Sequence, residues 1–390
     1  MTTRTSATTP RAAITVACLA LFTDMLVYGI AIPVLPLLPA TVAAGPAATG
    51  LLFAGYAVAT LAVTPVAGRL VDRAGPRRPL LYGMLGLAAA TLLFAFSTSF
   101  ALLVLARVLQ GVAAGMSWIA GLALIAASTP IATRGRSMGL AMSMVAVGVL
   151  VGPPVGGFLA EAFGPRAPFL VAAALALADG IARYLLVRAD PPATDDVAGP
   201  LAVIRVPGTV SVLVAVLLGA GALAAIEPVL PLHLQVTHGL GPLAVGGLFA
   251  VIVLTSAVLN PLVGSLVSRV DARALVGAGG VLAAGAMALL GLAGPLWLVV
   301  VAMMALGAAN ALLLATATTL IGHQGERAQP PALGGSYAAF NAAYACGMVV
   351  GPVVGGAVTG AGGFAVAAAA LAVLTIAGTA GALPRLPTGR

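Results

Sequence analysis

Apolar runs long enough to cross a bilayer recur along this chain with almost nothing between them. A spanning helix needs about 20 apolar residues, and such runs can be placed at about 12–38, 50–70, 79–97, 101–127, 137–160, 167–187, 206–234, 243–267, 274–294, 296–322, 333–359 and 363–383. The long polar interruption is RADPPATDDVAGPLAVIR, residues 188–205, which divides the runs six and six. Residues 1–187 and 206–390 are therefore expected to be two six-helix bundles joined by a central loop at 188–205. The fold class expected is an all-α membrane protein. With 61% of residues hydrophobic and 7% charged, the chain lacks the polar surface of a water-soluble protein of its length. Lipid solves that problem, because it replaces water as the solvent for the outer faces of the helices.

The 18 basic residues are all arginine, and they are distributed unevenly. Arg4, Arg11, Arg69, Arg73, Arg77, Arg78, Arg134, Arg136, Arg188, Arg205, Arg269, Arg273, Arg327, Arg385 and Arg390 fall on the side of the N-terminus, whereas Arg166 stands on the other. The excess of loop arginine marks the cytoplasmic face, so both termini and the central loop are expected there. Arginines in short loops between apolar runs are topology signals, and nucleic acid is not an expected partner. The first run is too long for the apolar core of a signal peptide, lacks a clear cleavage site and is followed by many runs like it. Cys18 and Cys346 both lie inside apolar runs and read as small core residues, with neither a disulfide nor a metal site expected.

The halves repeat one another. IAIPVLPLL (30–38) matches AIEPVLPLH (225–233), TPVAGRLVDRAGPR (64–77) matches NPLVGSLVSRVDAR (260–273), and VGPPVGG (151–157) matches VGPVVGG (350–356). Three matches in order at nearly one offset imply a duplication. Membrane transporters are commonly built from such repeats, with the substrate site at the repeat interface.

Polar residues inside the runs are the candidates for chemistry, since intramembrane charge is costly. Asp24 interrupts FTDMLVYGIAIPVLPLLP (22–39), and Tyr28 follows it by one helical turn. Arg107 and Gln110, in ARVLQGVAAG (106–115), share a helix face. An arginine at the centre of a hydrocarbon layer costs about 2.5–3.5 kcal/mol on insertion scales, so Arg107 should face the interior and a partner. The plainer reading is that it snorkels to an interface. Asp179 and Arg183 are four apart and should pair with each other. A phosphate-cradling GxxxxGK[ST] loop, a nucleophile triad and a metal constellation are all missing from the sequence. No enzyme activity and no cofactor are expected, and ATP is not the expected energy source.

Four motifs carry a resemblance to the major facilitator superfamily, and it covers essentially the whole chain. GRLVDRAGPRRPL (68–80) resembles the superfamily's signature loop at Gly68, Asp72, Arg73, Gly75, Arg77 and Arg78. There the glycines would permit close helix approach and a tight turn, and the charges would form a latch made in one orientation of the halves. Arg107–Gln110–Gly111 resembles the Arg-x-x-Gln-Gly signature of helix four in proton-coupled members. Gly148, Gly152, Pro153, Gly156 and Gly157 resemble the motif that marks exporters, especially drug–proton antiporters, and run eleven repeats it. Asp24 with Pro33 and Pro36, together with Glu227–Pro228, resembles helices one and seven of the vesicular monoamine transporters and their bacterial drug-efflux relatives.

That resemblance implies a twelve-helix, proton-coupled secondary transporter of the bacterial cytoplasmic membrane, exporting lipophilic, cationic, drug-like small molecules as a monomer. It makes Asp24, Glu227 and Arg107 the proton and cation coupling residues. Asp24, Tyr28, Gln110, Glu227, Asn310, Tyr337 and Asn341 become substrate-binding candidates. Glu227 corresponds to Ile32 in the repeat, eight residues beyond Asp24, which at ~1.5 Å per residue places it about 12 Å nearer the outside. Burial favours the neutral form of a carboxylate, so one acidic group can trade a proton for an organic cation. The chain departs from the amine group at Asn310 and Asn341, where that group has acidic residues; Asn binds polar groups but carries no proton. Two alternatives remain open. One is the same fold moving a neutral metabolite or sugar; the other is a membrane protein that senses or scaffolds without transport.

Overall fold

The computed structural model describes residues 10–129, 131–186, 200–292, 294–329 and 332–387. Among them, every regular element is helical: α1 (Pro10–Val34), α2 (Pro39–Ala74), α3 (Arg77–Phe96), α4 (Phe100–Ser128), α5 (Ile131–Phe163), α6 (Ala167–Leu186), α7 (Pro200–Ile204), α8 (Thr209–Ile226), α9 (Leu230–His238), α10 (Pro242–Leu266), α11 (Ala272–Gly291), α12 (Leu296–Arg327) and α13 (Leu333–Ala382), with short 3-10 turns at Leu35–Leu37 and Leu383–Arg385. The backbone groups of a membrane segment must pair internally, which is why the apolar runs become helices.

Eleven of the described helical segments are long and apolar enough to cross a membrane, and the last of them, Gly335–Arg385, has 51 residues. That length is more than twice what a bilayer needs. Gly363 breaks it with φ 82 and ψ 171, a conformation closed to residues with a Cβ, so 333–362 and 364–382 are separate spans and the expected twelve are recovered. Gly45 (φ 87) does the same within α2, whose spanning part follows the kink. Large apolar side chains such as Leu51, Val281 and Trp297 are more than half exposed, as on a surface solvated by lipid.

Two details differ from expectation. Run 206–234 is not one helix: α8 ends at Ile226, Glu227–Val229 form a turn, and α9 resumes at Leu230. Pro228 has no N–H to continue the helical ladder, which accounts for the break. The loop expected at 188–205 ends in a helical turn, α7, whose Val203 is fully buried in a core with Val212, Val216 and Leu320. The rest of that loop up to residue 199 lies outside the described residues.

The chain forms two compact units, Met1–Val34 with Val58–Asp195, and Leu35–Ala57 with Asp196–Arg390. In the first, α1 lies against α4, α5 and α6, and α3 against α4 and α6. In the second, α8 lies against α12 and α13, α11 against α12 and α13, and α10 against α12. The helices start where the local chemistry allows: Ser99 Oγ accepts from the N–H of Leu102 at the start of α4, and Asp271 Oδ1 accepts from that of Arg273 at the start of α11.

Each unit is built on a glycine seam, and the two seams correspond. A Cβ at Gly148, Gly152 or Gly156 of α5 would lie 2.6, 2.9 and 2.6 Å from the carbonyl oxygens of Phe22, Leu26 and Ile30 of α1. A Cβ at Gly347, Gly351 or Gly355 of α13 would meet the carbonyl oxygens of Leu217, Gly221 and Ala225 of α8. The three carbonyls are four residues apart in both cases, one contact per turn along one helix face. A hydroxyl clip is also duplicated: Thr60 Oγ1 donates to the Gly111 carbonyl at 3.0 Å, and Ser256 Oγ to that of Gly307 at 2.7 Å. Without a hydrophobic force between helices in lipid, close backbone contact and such bonds are what hold them together.

Candidate functional site

The first unit gathers a polar chain in its interior. Asp24 of α1 is 2% exposed, and its Oδ1 has no hydrogen-bond partner. One turn along the same helix, the ring of Tyr28 faces α4. The Arg107 guanidinium sits over that ring, 5.2 Å from its centroid, close enough for a cation–π attraction. Arg107 is fully buried, which rules out the snorkelling alternative. Its Nη1 donates to Gln110 Oε1 at 2.7 Å, Gln110 Nε2 donates to Thr91 Oγ1 of α3 at 3.3 Å, and Thr91 Oγ1 donates to the Leu87 carbonyl at 2.6 Å. Arg107 also lies within electrostatic range of Asp24. A cation on α4 thus lies near a carboxylate and an aromatic face on α1, with the amide of Gln110 oriented by a hydroxyl of α3. Thr91 escaped the sequence reading; a lone hydroxyl in an apolar run was its only signal.

The glycine seam explains how α1 is positioned. Phe22 and Leu26, whose carbonyls receive Gly148 and Gly152, flank Asp24 on the chain, and Gly29 makes room for Pro153, whose Cδ would stand 2.9 Å from a Cβ there. The motif glycines of α5 therefore fix the height and rotation of the helix that presents the carboxylate. Gly157 is buried in the same helix. At the other end of α1, the pair Asp179–Arg183 forms as expected at 3.2 Å, and Arg183 Nη2 also donates to the carbonyl of Val16 at 3.2 Å.

In the second unit Glu227 is 4% exposed at the break that ends α8, and it lies within electrostatic range of Tyr344. Asn310 of α12 lines a small void with Gly219, Ala222 and Leu306, and its Oδ1 is buried without a partner. Tyr337 and Asn341 are exposed on α13, so they are not gathered with Glu227 into a closed cluster. Met303, which stands in the repeat where Arg107 stands in the first unit, is fully buried and apolar.

The signature loop joins α2 to α3. Gly75 takes φ 73 in the turn, where a Cβ would be strained. Gly68 differs from expectation: a Cβ there would meet nothing within 4 Å, because its face of α2 is open. Arg77 Nη2 reaches the Tyr184 carbonyl of α6 at 3.5 Å, while Arg73 and Arg78 are exposed. The side chain of Asp72 lies outside the described residues.

A family model of the Major Facilitator Superfamily matches residues 17–254 and 212–390. The chain belongs to that superfamily. It is similar to the human chromaffin granule amine transporter (31% identity over 326 residues, 81% of this chain and 61% of that one). It is also similar to a probable vesicular acetylcholine transporter of Danio rerio (36% over 187 residues, 46% and 38%) and, over a shorter stretch, to the human synaptic vesicular amine transporter (43% over 140 residues, 36% and 27%). The chain thus spans 27–61% of the length of these relatives. Among solved structures, a bacterial homologue of the human lysosomal transporter Spinster superposes with a TM-score of 0.81 at 16% identity, covering 98% of this chain and 97% of that one. The human organic anion transporter MFSD10 does so with a TM-score of 0.66 at 18% identity, covering 96% and 99%. This major facilitator chain is accordingly a multi-pass membrane protein, and over the matched residues it resembles the vesicular monoamine group.

Proposed function

We propose that this transporter exports lipophilic, cationic, drug-like molecules in exchange for protons, from the cytoplasmic membrane of a bacterial cell with both termini inside, working as a monomer and driven by the proton gradient alone. The observation that carries the reading is the buried Asp24 carboxylate with an open oxygen, beside Tyr28 and within electrostatic range of Arg107. Deprotonated, that carboxylate attracts an organic cation, and the aromatic ring beside it favours the same ligand. Protonated, it releases the cation. Glu227 serves as a second acidic station, and Asn310 and Asn341 supply neutral polar contacts. Arg107 competes for the Asp24 charge and so weakens the carboxylate's hold on either partner. The signature loop with Asp72 acts as the latch between orientations. The relatives' names support the cationic class, since amines and acetylcholine are cations at neutral pH.

The test uses the purified chain in liposomes with an imposed pH gradient. Lumenal pH is followed while lipophilic cations and neutral solutes are added in turn. Cations should trigger proton movement, and neutral solutes should not. A response to neutral solutes alone would replace this reading with metabolite or sugar transport, and no flux of any solute would favour a sensor.

A further inference from the structure

A cavity of about 210 Å³ lies within the second unit, and none of Asp24, Tyr28, Arg107 and Gln110 lines it. Its wall combines Pro36, Thr41 and Pro46 with Pro228, Leu232 and His233 and with Thr359 and Phe364. Two left-handed glycines shape it: Gly45 on its rim turns α2, and Gly363 turns the chain so that Phe364 faces inward. The imidazole of His233 stacks on the Phe364 ring, 4.2 Å between centroids and 20° apart, giving a flat π-surface. The described lining holds no carboxylate and no arginine, so it is not a cation site of the Asp24 kind.

Its polar groups are sparse. Thr41 Oγ1 already donates to the Leu35 carbonyl and Thr49 Oγ1 to that of Gly45. Thr359 is different. Threonines elsewhere in α13, Thr375 and Thr379, satisfy the hydroxyl by donating to the carbonyl one turn back, but Thr359 Oγ1 is buried and has no partner. A buried hydroxyl without a partner is a standing demand for one.

We propose that this cavity is a binding site for a one- or two-ring lipophile bearing a single hydrogen-bonding group, its ring against the His233–Phe364 face and its polar group on Thr359 Oγ1. The volume suits that class, because a dry engineered cavity of about 150 Å³ already accepts benzene. The apolar wall with one convergent polar group is the composition of small-molecule sites generally. The site stands whether or not the transporter exports cations.

The experiment places the full chain in nanodiscs with the photoactivatable probe trifluoromethyl-phenyldiazirine benzyl alcohol and maps the label by mass spectrometry. Saturable labelling of the segments around Leu232 and Thr359–Phe364, competed by excess benzyl alcohol, is the expected result. Thr359→Val should weaken the apparent affinity about three- to tenfold, the range of one lost hydrogen bond. Val42→Trp, which fills the exposed rim, should abolish labelling without touching the core. Labelling that never saturates, as acyl chains entering from the bilayer would give, or that is unchanged in both variants, overturns the proposal.

Discussion

The guanidinium of Arg107 donates to Oε1 of Gln110 at 2.7 Å, one turn further along the same helix. That bond holds a full positive charge in the interior of the first unit, over the ring of Tyr28 and near Asp24. The second unit keeps the helix but places Met303 at the corresponding position. The comparison predicts what Arg107→Met should do. Replacing both partners of a buried charge pair by apolar residues is often neutral, but removing one alone leaves the other uncompensated. The variant leaves Asp24 without its neighbouring cation and Gln110 Oε1 without its donor, so it should lower the melting temperature as well as losing cation-triggered proton movement. Arg107→Ala, which empties the space as well, should cost several kcal/mol. Thermal unfolding in detergent beside the liposome assay separates the two effects.

The glycine seams make a sharper demand on shape. Gly152→Val puts two methyl groups where a Cβ would already stand 2.9 Å from Gly29 Cα and the Leu26 carbonyl oxygen. Overpacking of this kind costs about 1–3 kcal/mol. Gly285→Ala is the control, since a Cβ there meets nothing within 4 Å inside a helix. It should be neutral or stabilise by about 0.4–1 kcal/mol through the unfolded chain. Equal melting temperatures for the two would remove the seam from the account.

The duplicated hydroxyl clips should behave alike. Thr60→Val and Ser256→Ala each remove one interhelical bond to a glycine carbonyl. Each should cost about 0.6 kcal/mol, the average for such bonds in membrane proteins. The bonds share no partner, so the double variant should lose the sum within about 0.5 kcal/mol. A large coupling energy in the thermodynamic cycle would contradict this.

Much of this architecture was legible in the sequence, for physical reasons that also mark where legibility stops. Asp24, Arg107 and Asp179–Arg183 stand out because a polar group inside an apolar run is costly and must be used or paired. The glycine motifs were visible as spacing, but their partners, the carbonyls of Phe22, Leu26 and Ile30, required the packed helices. Thr91 and Thr60 were invisible, because a hydroxyl in a membrane helix ordinarily bonds to its own preceding turn, as Thr64 and Thr129 do here. Only tertiary structure shows that Thr91 also accepts from Gln110 and that Thr60 reaches Gly111. The break at Glu227 was signalled by Pro228 yet hidden by the unbroken hydropathy around it. The open space at Gly68 shows the converse: a glycine that reads as a close contact can have none in the structure.

The ion pair on α6 tests a different property. Arg183 spans Asp179 and the Val16 carbonyl, tying α6 to the start of the helix that carries Asp24. Asp179→Leu alone leaves a buried guanidinium without its counter-charge and should cost about 3–5 kcal/mol. The double replacement Asp179→Leu with Arg183→Met should recover most of that loss. Failure of the second change to rescue the first would show that the pair is not the unit acting here.

The central claim is that a proton and an organic cation compete for one carboxylate, Asp24. It is tested most directly by the protons released when a lipophilic cation is added to the purified protein in weak buffer. The wild-type chain should release protons in step with cation binding, and Asp24→Asn should bind the cation poorly and release none. Proton release from Asp24→Asn equal to that of the wild type would contradict the account and move the coupling site to another residue.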